Sequence, residues 1–237
     1  MTTATRMVGL SAGLAALALA AACGDGTGPA TSRNNPGTGS STLLVTADID
    51  ANDDPAIIGG FSTDYFVSVR DGAGLAVSGA TVTISNGSFA GGKITLPETG
   101  AGSGDYQLTG NTFPSGDFRL DVVQGTNDVR GVIVGGPGVH NITTPAANAT
   151  VPVNQPLLVR WTVPSRAKSA EVETRDFGPV TLPDSGAYRI AGADNNQIRT
   201  DQRVRVFRFN EVDMAGGLVG SRLRVKVRKT VEPIVVQ

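Results

Sequence analysis

The chain has 237 residues, of which 40% are hydrophobic, 17% are charged and 5% are aromatic. This apolar content excludes a wholly disordered chain, and the 31 glycines and 13 prolines exclude a helical bundle. With one cysteine and one histidine, a disulfide framework, a Cys/His zinc site and a Cys–His nucleophilic pair are also excluded. The net charge of −1 argues against a general nucleic-acid binder.

The first 22 residues have the features of an export signal. Arg6 is the only charge before residue 25, and sixteen apolar or small residues, 7–22, follow it. As a helix these sixteen residues would extend about 24 Å, which is shorter than the roughly 30 Å hydrocarbon core of a bilayer. The combination predicts a secretory signal peptide over residues 1–22.

The sequence Leu19-Ala20-Ala21-Ala22-Cys23-Gly24 resembles a bacterial lipobox. The resemblance implies that Cys23 becomes the lipidated first residue of the mature chain. It also implies sorting to the outer membrane of a two-membrane cell, because Gly24 stands where an aspartate would retain the protein in the inner membrane. The family prefers Leu three positions before the cysteine, where this chain has Ala20. The alternative is ordinary signal-peptidase cleavage after Ala22, which would release a soluble protein with a free Cys23.

Residues 24–41 contain no Leu, Ile, Val or aromatic side chain. Burial therefore cannot offset the entropy lost on ordering them. We expect residues 23–41, the lipidated cysteine and its extension, to form a flexible tether with a reach of about 25 Å. The alternative is a weakened first strand.

From Thr42 onward apolar residues alternate with polar ones, which is typical of strands with one buried and one wet face. Gly-rich turn signals separate these runs. The pattern predicts an all-β fold of two tandem antiparallel β-sandwiches, over residues 42–136 and 137–237, and a single larger barrel is the alternative. The expected strands are Leu43–Ala47, Asp64–Arg70, Ala80–Ser85, Lys93–Leu96, Tyr106–Thr109, Phe118–Val123, Val129–Val134, Leu157–Val163, Ser169–Thr174, Ala187–Ile190, Gln197–Thr200, Arg203–Asn210, Arg222–Arg228 and 234–236.

The segment Val69–Ile84, followed by Gly104-Asp105-Tyr106, is similar to bacterial Ig-like and carboxypeptidase-regulatory-like domains. These families carry a V-x-D-x-x-G-x-x-V-x-G-A-x-V hairpin, which the chain matches as VRDGAGLAVSGATV. Trp161 resembles the core tryptophan of fibronectin type III-like domains, and the lack of a cysteine pair excludes the antibody type. The resemblance implies Ig-like β-sandwiches and no catalytic residue.

The net charge conceals an asymmetry, since residues 24–136 carry 12 acids and 5 bases while residues 137–237 carry 9 acids and 14 bases. Every second residue of Arg222–Arg228 is cationic, so strand geometry places four cations on one face. Arg203-Val204-Arg205 repeats this pattern before a bulge expected at Phe207. If the two strands are neighbours, six cations share one wet face. They are Arg203, Arg205, Arg222, Arg224, Lys226 and Arg228.

This basic face predicts a docking surface for a polyanion, such as lipid headgroup phosphates, an acidic envelope polysaccharide or an acidic protein face. Two alternatives stay open: a solubilising face that protects a sheet edge from pairing, and a face covered by the acidic first sandwich. Nucleic acid is not expected as a partner, because few aromatic residues lie between the cations for base stacking.

The densest acidic cluster precedes Pro55 and offers oxygen ligands for calcium, which takes six to eight of them. Residues 50–54 distantly resemble the acidic linker of cadherin domains. They do not form an EF-hand loop, because its sixth position would be Asp53 and its twelfth Gly59. A solvated loop is the alternative. The candidate calcium ligands are Asp48, Asp50, Asn52, Asp53 and Asp54.

These patterns predict a non-catalytic binding or structural protein, exported and lipid-anchored to the cell envelope, with no cofactor other than calcium. His140 is expected at the surface of a hinge between the sandwiches, without partners for a triad or a metal site. One alternative function is an accessory subunit that docks onto an envelope protein by strand addition. The other is a divergent hydrolase, whose carboxylate pair would come from distant strands.

Overall fold

The structure is a computed structural model that describes residues 34–165 and 167–237. The expected signal peptide, Cys23 and residues 24–33 of the expected tether lie outside the described residues. Nowhere in the described ranges does a helix reach the length and apolar character needed to cross a bilayer.

The described chain forms sixteen strands and two short 3₁₀ turns, Ala90–Gly92 and Gly192–Asp194. The strands before the midpoint are β1 (Thr38–Gly39), β2 (Leu44–Asp53), β3 (Phe61–Arg70), β4 (Thr81–Ser85), β5 (Lys93–Leu96), β6 (Asp105–Gly110), β7 (Asp117–Gln124) and β8 (Asn127–Gly135). Those after it are β9 (Ile142–Thr144), β10 (Thr150–Val151), β11 (Leu157–Trp161), β12 (Ser169–Thr174), β13 (Val180–Pro183), β14 (Ala187–Ile190), β15 (Arg199–Asp213) and β16 (Arg222–Val236).

Three sheets contain these strands. A five-stranded sheet has the order β1-β8-β7-β4-β5, and a three-stranded sheet has the order β14-β11-β9. The largest sheet has the order β13-β12-β15-β16-β2-β3-β6, with β10 also paired to β16. All pairs are antiparallel except β16 with β2 and β10 with β16, which are parallel.

Two hydrophobic cores lie between these sheets. In the first sandwich, residues such as Val82 and Leu120 of the five-stranded sheet pack against Val45 and Val67 of the large sheet. In the second sandwich, Trp161 and Val159 of the three-stranded sheet pack with Val172, Val206 and Ile234 of the large sheet. The predicted all-β class, with antiparallel sheets packed as two sandwiches, is confirmed, and Trp161 is buried in a core as expected.

The two sandwiches share one β-hairpin, formed by β15 and β16 and called the shared hairpin below. Val225 and Val227 of β16 belong to the first core, whereas Ile234 of the same strand belongs to the second. Fifteen residues at about 3.3 Å each extend about 50 Å, enough to span two stacked cores. The predicted boundary between residues 136 and 137 is therefore wrong for β16, whose first half completes the sandwich assigned to residues 42–136.

Residues 34–41, expected as the end of a flexible tether, instead line the edge of the five-stranded sheet. β1 pairs antiparallel with β8, and the Asn35 N–H donates to the Ile133 carbonyl over 2.8 Å. A side chain at Gly39 would place its Cβ 2.3 Å from the Asp128 carbonyl oxygen, so the close approach requires glycine. The alternative of a weakened first strand applies here, because backbone hydrogen bonds to an edge strand need no apolar side chain.

The shared hairpin predicts that residues 137–237 do not fold as an independent unit. Alone, this fragment would expose Leu223, Val225 and Val227 and the edge of β16 that pairs with β2. We expect it to aggregate in size-exclusion chromatography and to lack dispersed amide signals in NMR, whereas residues 34–237 give a dispersed spectrum. A monomeric fragment with a dispersed spectrum would contradict this prediction.

Candidate functional site

The outer face of the large sheet, on the side away from both cores, carries the predicted cations. Along β16 half-buried Arg222, Arg224, Lys226 and Arg228 alternate with Leu223, Val225 and Val227, which are fully buried. β15 and β16 are neighbours, and Arg205 lies opposite Thr230. The six cations do share one face of one sheet, as the alternation indicates.

The bulge expected at Phe207 is wrong. The register of the shared hairpin is irregular only around Gln202, and burial alternates without a break from Arg203 to Asn210. Phe207 and Phe209 therefore lie on the outer face, and Arg208 and Asn210 point inward. From this point the outward residues are aromatic and the inward ones polar, while the alternation of inward and outward side chains continues unbroken.

The parallel neighbour of β16 supplies carboxylates to its cations. Asp48 lies opposite Arg224 and Asp50 opposite Lys226. The Arg224 guanidinium is 2.9 Å from Asp48, and the Lys226 ammonium is 3.6 Å from Asp50. Arg222 reaches Asp48 at 3.3 Å and Glu211 at 3.2 Å. Three of the six predicted docking cations are thus held by carboxylates of β2 and β15.

These pairs also determine the surroundings of the predicted calcium ligands. β2 runs to Asp53, so most of the expected loop is strand, and Asp54 accepts a hydrogen bond from the Ala56 N–H over 2.9 Å. Burial raises the pKa of Asp50, and the charge of Asp48 raises it further, whereas Lys226 lowers it. Within residues 34–165 and 167–237, no three His, Cys, Asp or Glu side chains are grouped to hold a metal ion. Calcium binding by these residues stays a prediction.

The series of ion pairs between outward residues of β2 and β16 does not extend to Arg228. Opposite Arg228 the next outward residue of β2 is Asn52, an amide in place of a carboxylate. Arg205 pairs with Glu173 of β12 at 3.0 Å. Among the described residues, Arg203 and Arg228 form no ion pair, and the Nε atoms of both are buried without a hydrogen-bond acceptor. Two positive charges of the outer face are therefore unmatched.

A cleft of about 440 Å³ lies beside Arg228, where β16 passes from the first core to the second. We call it the junction cleft. Its wall includes Pro55 and Gly60 of the loop between β2 and β3. The other lining residues are Asp53, Arg205, Arg228, Lys229, Thr230 and Glu232.

The acids of the junction cleft already have partners. The Asp53 carboxylate is 3.6 Å from the Lys229 ammonium and accepts a hydrogen bond from the Thr230 N–H over 3.1 Å. Glu232 pairs with Arg175 at 3.3 Å. Burial lowers the pKa of Arg228, and the charge of Arg205 lowers it further, whereas the charges of Asp53 and Glu173 raise it. Arg228 is thus partly desolvated without an ion-pair partner among the described residues, which favours an added anion.

Directly beneath this face, Arg208 forms a buried ion pair with Asp184; their side chains are 0% and 2% exposed. The guanidinium also donates to the carbonyl oxygens of Pro137, Gly138 and Ser165. Trp161 donates its indole N–H to the same carboxylate over 2.9 Å. Burial raises the pKa of Asp184, but hydrogen bonds from Arg208 and Trp161 outweigh it and hold the pKa below its usual value.

His140 lies at this junction and is fully buried, so the expected surface position is wrong. Its Nε2 lies 3.1 Å from the Val206 carbonyl oxygen, to which it can donate, whereas Nδ1 has no hydrogen-bond partner. Burial lowers the pKa of His140 to about 4, and the charge of Arg208 contributes. The imidazole is therefore neutral at pH 7 and packs as part of the joint between the sandwiches.

Sequence reasoning did not identify Arg208, Asp184 or the junction cleft. The unbroken alternation of β15 was a usable signal for Arg208, because it places this arginine on the buried side. No sequence signal indicated Asp184, which lies in a loop 24 residues from Arg208. The cleft depends on where β2 ends relative to β16, which is a tertiary property.

No protein-family model matches the sequence, and no curated protein matches it. Among solved structures, the chain is similar to the adhesin InvE of Yersinia pseudotuberculosis, with 16% identity, a TM-score of 0.25 and coverage of 81% of this chain and 61% of that chain. It thus spans less than two thirds of the adhesin. Similarity extends to IG1+IG2 of DIP-gamma, with 10% identity, a TM-score of 0.25 and coverage of 83% and 98%. The fibronectin(III)-like modules of Clostridium thermocellum CbhA have 14% identity, a TM-score of 0.25 and coverage of 78% and 93%.

We predict that Arg208→Met strongly destabilises the protein. The substitution leaves Asp184 buried without its cation and removes the donor to three carbonyls, so we expect a loss of about 3 kcal/mol or more in the free energy of unfolding, measured by urea denaturation. Arg160→Met is the control, because Arg160 is exposed, and it should change the value by about 0.5 kcal/mol at most. Equal urea midpoints for Arg208→Met and Arg160→Met would show that the ion pair between Arg208 and Asp184 does not stabilise the junction of the two sandwiches.

Proposed function

We propose that the protein is a non-catalytic binding module of the cell envelope, which is lipid-anchored to the outer membrane through Cys23. Its two sandwiches present the outer face of the large sheet to an anionic partner in the envelope. The observation that carries this proposal is Arg228, which lines the junction cleft and forms no ion pair with a described residue, with the charge of Arg203 nearby.

The joint between the sandwiches supports a presenting role. The shared hairpin contributes to both cores, and Arg208 ties it to the segment that connects β8 to β9. A face built on long paired strands keeps its side chains in fixed relative positions, which limits the entropy lost on binding.

The surroundings of the ionisable groups support binding over catalysis. His140, the one histidine of the chain, is buried and therefore cannot act as a general base on a ligand at the surface. Three carboxylates of β2 each form an ion pair with a cation of β16, namely Asp48, Asp50 and Asp53. These carboxylates stabilise the large sheet, and no two of them are free to act as a general acid and a general base.

The lipid anchor is tested by the substitution Cys23→Ser. We expect the unsubstituted protein to be found in the membrane fraction and to carry acyl chains by mass spectrometry, because the cysteine thiol is the acylation site of a lipobox. Cys23→Ser should move it to the soluble fraction, whereas Thr27→Ser should have no effect. Equal soluble fractions for all three proteins would favour cleavage by ordinary signal peptidase.

Binding to an anionic partner is tested by retention of the full chain on a sulfated or uronic-acid polysaccharide matrix. We expect retention at low salt that weakens at physiological ionic strength, since salt screens charge attraction between exposed groups. A neutral dextran matrix is the control. Absence of retention at both salt concentrations, or equal retention on dextran, would contradict an anionic polymer as partner.

A further inference from the structure

We propose that the junction cleft is a binding site for a phosphate or sulfate group carried on a soluble polymer, recognised by Arg228 and Arg205 of its lining, with the charge of Arg203 nearby. This inference deepens the proposed function, on which it rests, by assigning the site and the chemical group.

The charges at the cleft favour an anionic ligand. Its lining cations are Arg205, Arg228 and Lys229, and its lining acids are Asp53 and Glu232. Arg205 pairs with Glu173, Lys229 with Asp53, and Glu232 with Arg175, which also pairs with Asp201. Arg228 is the lining cation that forms no ion pair with a described residue, so an oxyanion in the cleft would supply its partner.

The donors available also favour a tetrahedral oxyanion. A guanidinium presents several N–H groups in a planar fork that fits phosphate and sulfate oxygens in pairs. The Nε atoms of Arg203, Arg205 and Arg228 are all buried without an acceptor. Because these Nε atoms are buried, the terminal N–H groups of the guanidinium are the donors that would meet an oxyanion. The lining includes no aromatic ring, so the charged group, and not a stacked sugar, is recognised.

The acidic surroundings distinguish a polymer from a membrane. The same outer face carries Glu171 and Glu173 on one side of the cleft and Asp48 and Asp50 on the other. A flat anionic bilayer laid on this face would meet carboxylates that are already paired with cations, whereas a polymer can insert a single charged group into the cleft. A cleft of about 440 Å³ holds such a group and the unit that carries it.

The position of Asn52 explains why the site exists. Along β2 the outward residues Asp48, Asp50 and Asn52 lie opposite Arg224, Lys226 and Arg228 in turn. The first two are carboxylates and form ion pairs, and the third is a neutral amide. Asn52→Asp would complete the series and supply Arg228 with an internal counter-charge.

The test is calorimetric titration of the full chain, purified in detergent, with inorganic phosphate and inorganic sulfate at constant ionic strength. We expect saturable binding that Arg203→Gln/Arg228→Gln weakens about 10- to 100-fold, the effect of losing charge-assisted hydrogen bonds. Asn52→Asp should weaken binding similarly without removing any arginine. The control Arg160→Gln/Arg189→Gln removes the same charge from exposed arginines of the three-stranded sheet and should leave binding unchanged.

Each outcome of the titration decides the proposal. Loss of binding in both the double arginine variant and Asn52→Asp, with the control unaffected and all thermal midpoints similar, supports the site. No binding by the unsubstituted chain, or equal weakening in the control, overturns it, even if the chain is still retained on an anionic polysaccharide; in that case the proposed function stands with another contact surface.

The source of the anionic group is separated by two further probes. Long-chain polyphosphate should compete with inorganic phosphate in the unsubstituted chain. Vesicles containing phosphatidic acid should not bind in an Arg228-dependent way, because Arg228 lies in a cleft and a flat headgroup surface does not enter it. Arg228-dependent vesicle binding without polyphosphate competition would overturn the polymer assignment in favour of a lipid headgroup.

Discussion

The organisation of this protein depends on one hairpin that serves two hydrophobic cores. β15 and β16 begin in one sandwich and end in the other, so the residues midway along them lie between cores and cannot all be apolar. Arg208 occupies this place, and its full set of donors is used by Asp184 and by three carbonyls of neighbouring segments. A buried guanidinium is tolerated only when satisfied in this way, and removal of any partner would leave an uncompensated charge or carbonyl.

The same hairpin explains how a chain with opposite charges in its two halves neutralises itself. Parallel pairing of β16 with β2 brings the basic strand of the second half beside the acidic strand of the first. The resulting ion pairs are half-buried, so water screens them less than fully exposed pairs. Because the residue of β2 opposite Arg228 is Asn52 and not a carboxylate, the series of ion pairs along the outer face is interrupted there. This interruption leaves Arg228 of the outer face available to an external ligand at the cleft.

Much of the secondary structure could be predicted from local pattern. β5, β12 and β14 have the bounds that alternation and turn signals indicate, and six further strands differ by one to three residues at an end, namely β3, β4, β6, β7, β8 and β11. β1, β9, β10 and β13 are not among the predicted strands, and β15 and β16 each join two of them. The larger misses have physical causes. Residues 34–41 lack apolar side chains yet pair through their backbone, and the acidic run 48–53, which resembles a loop by composition, is strand because its charges are matched by β16. Neither cause is visible in the segment alone.

Alternation along Arg222–Arg228 by itself determined that these cations share one face, since successive side chains of a strand point to opposite sides. Alternation and turn signals likewise determined the all-β class. Tertiary structure alone decided which cations are available to a ligand, because that depends on which strand lies beside β16 and on where that strand ends. It also decided that His140 is an interior residue, since burial at a joint between two cores is produced by long-range packing that no local pattern encodes.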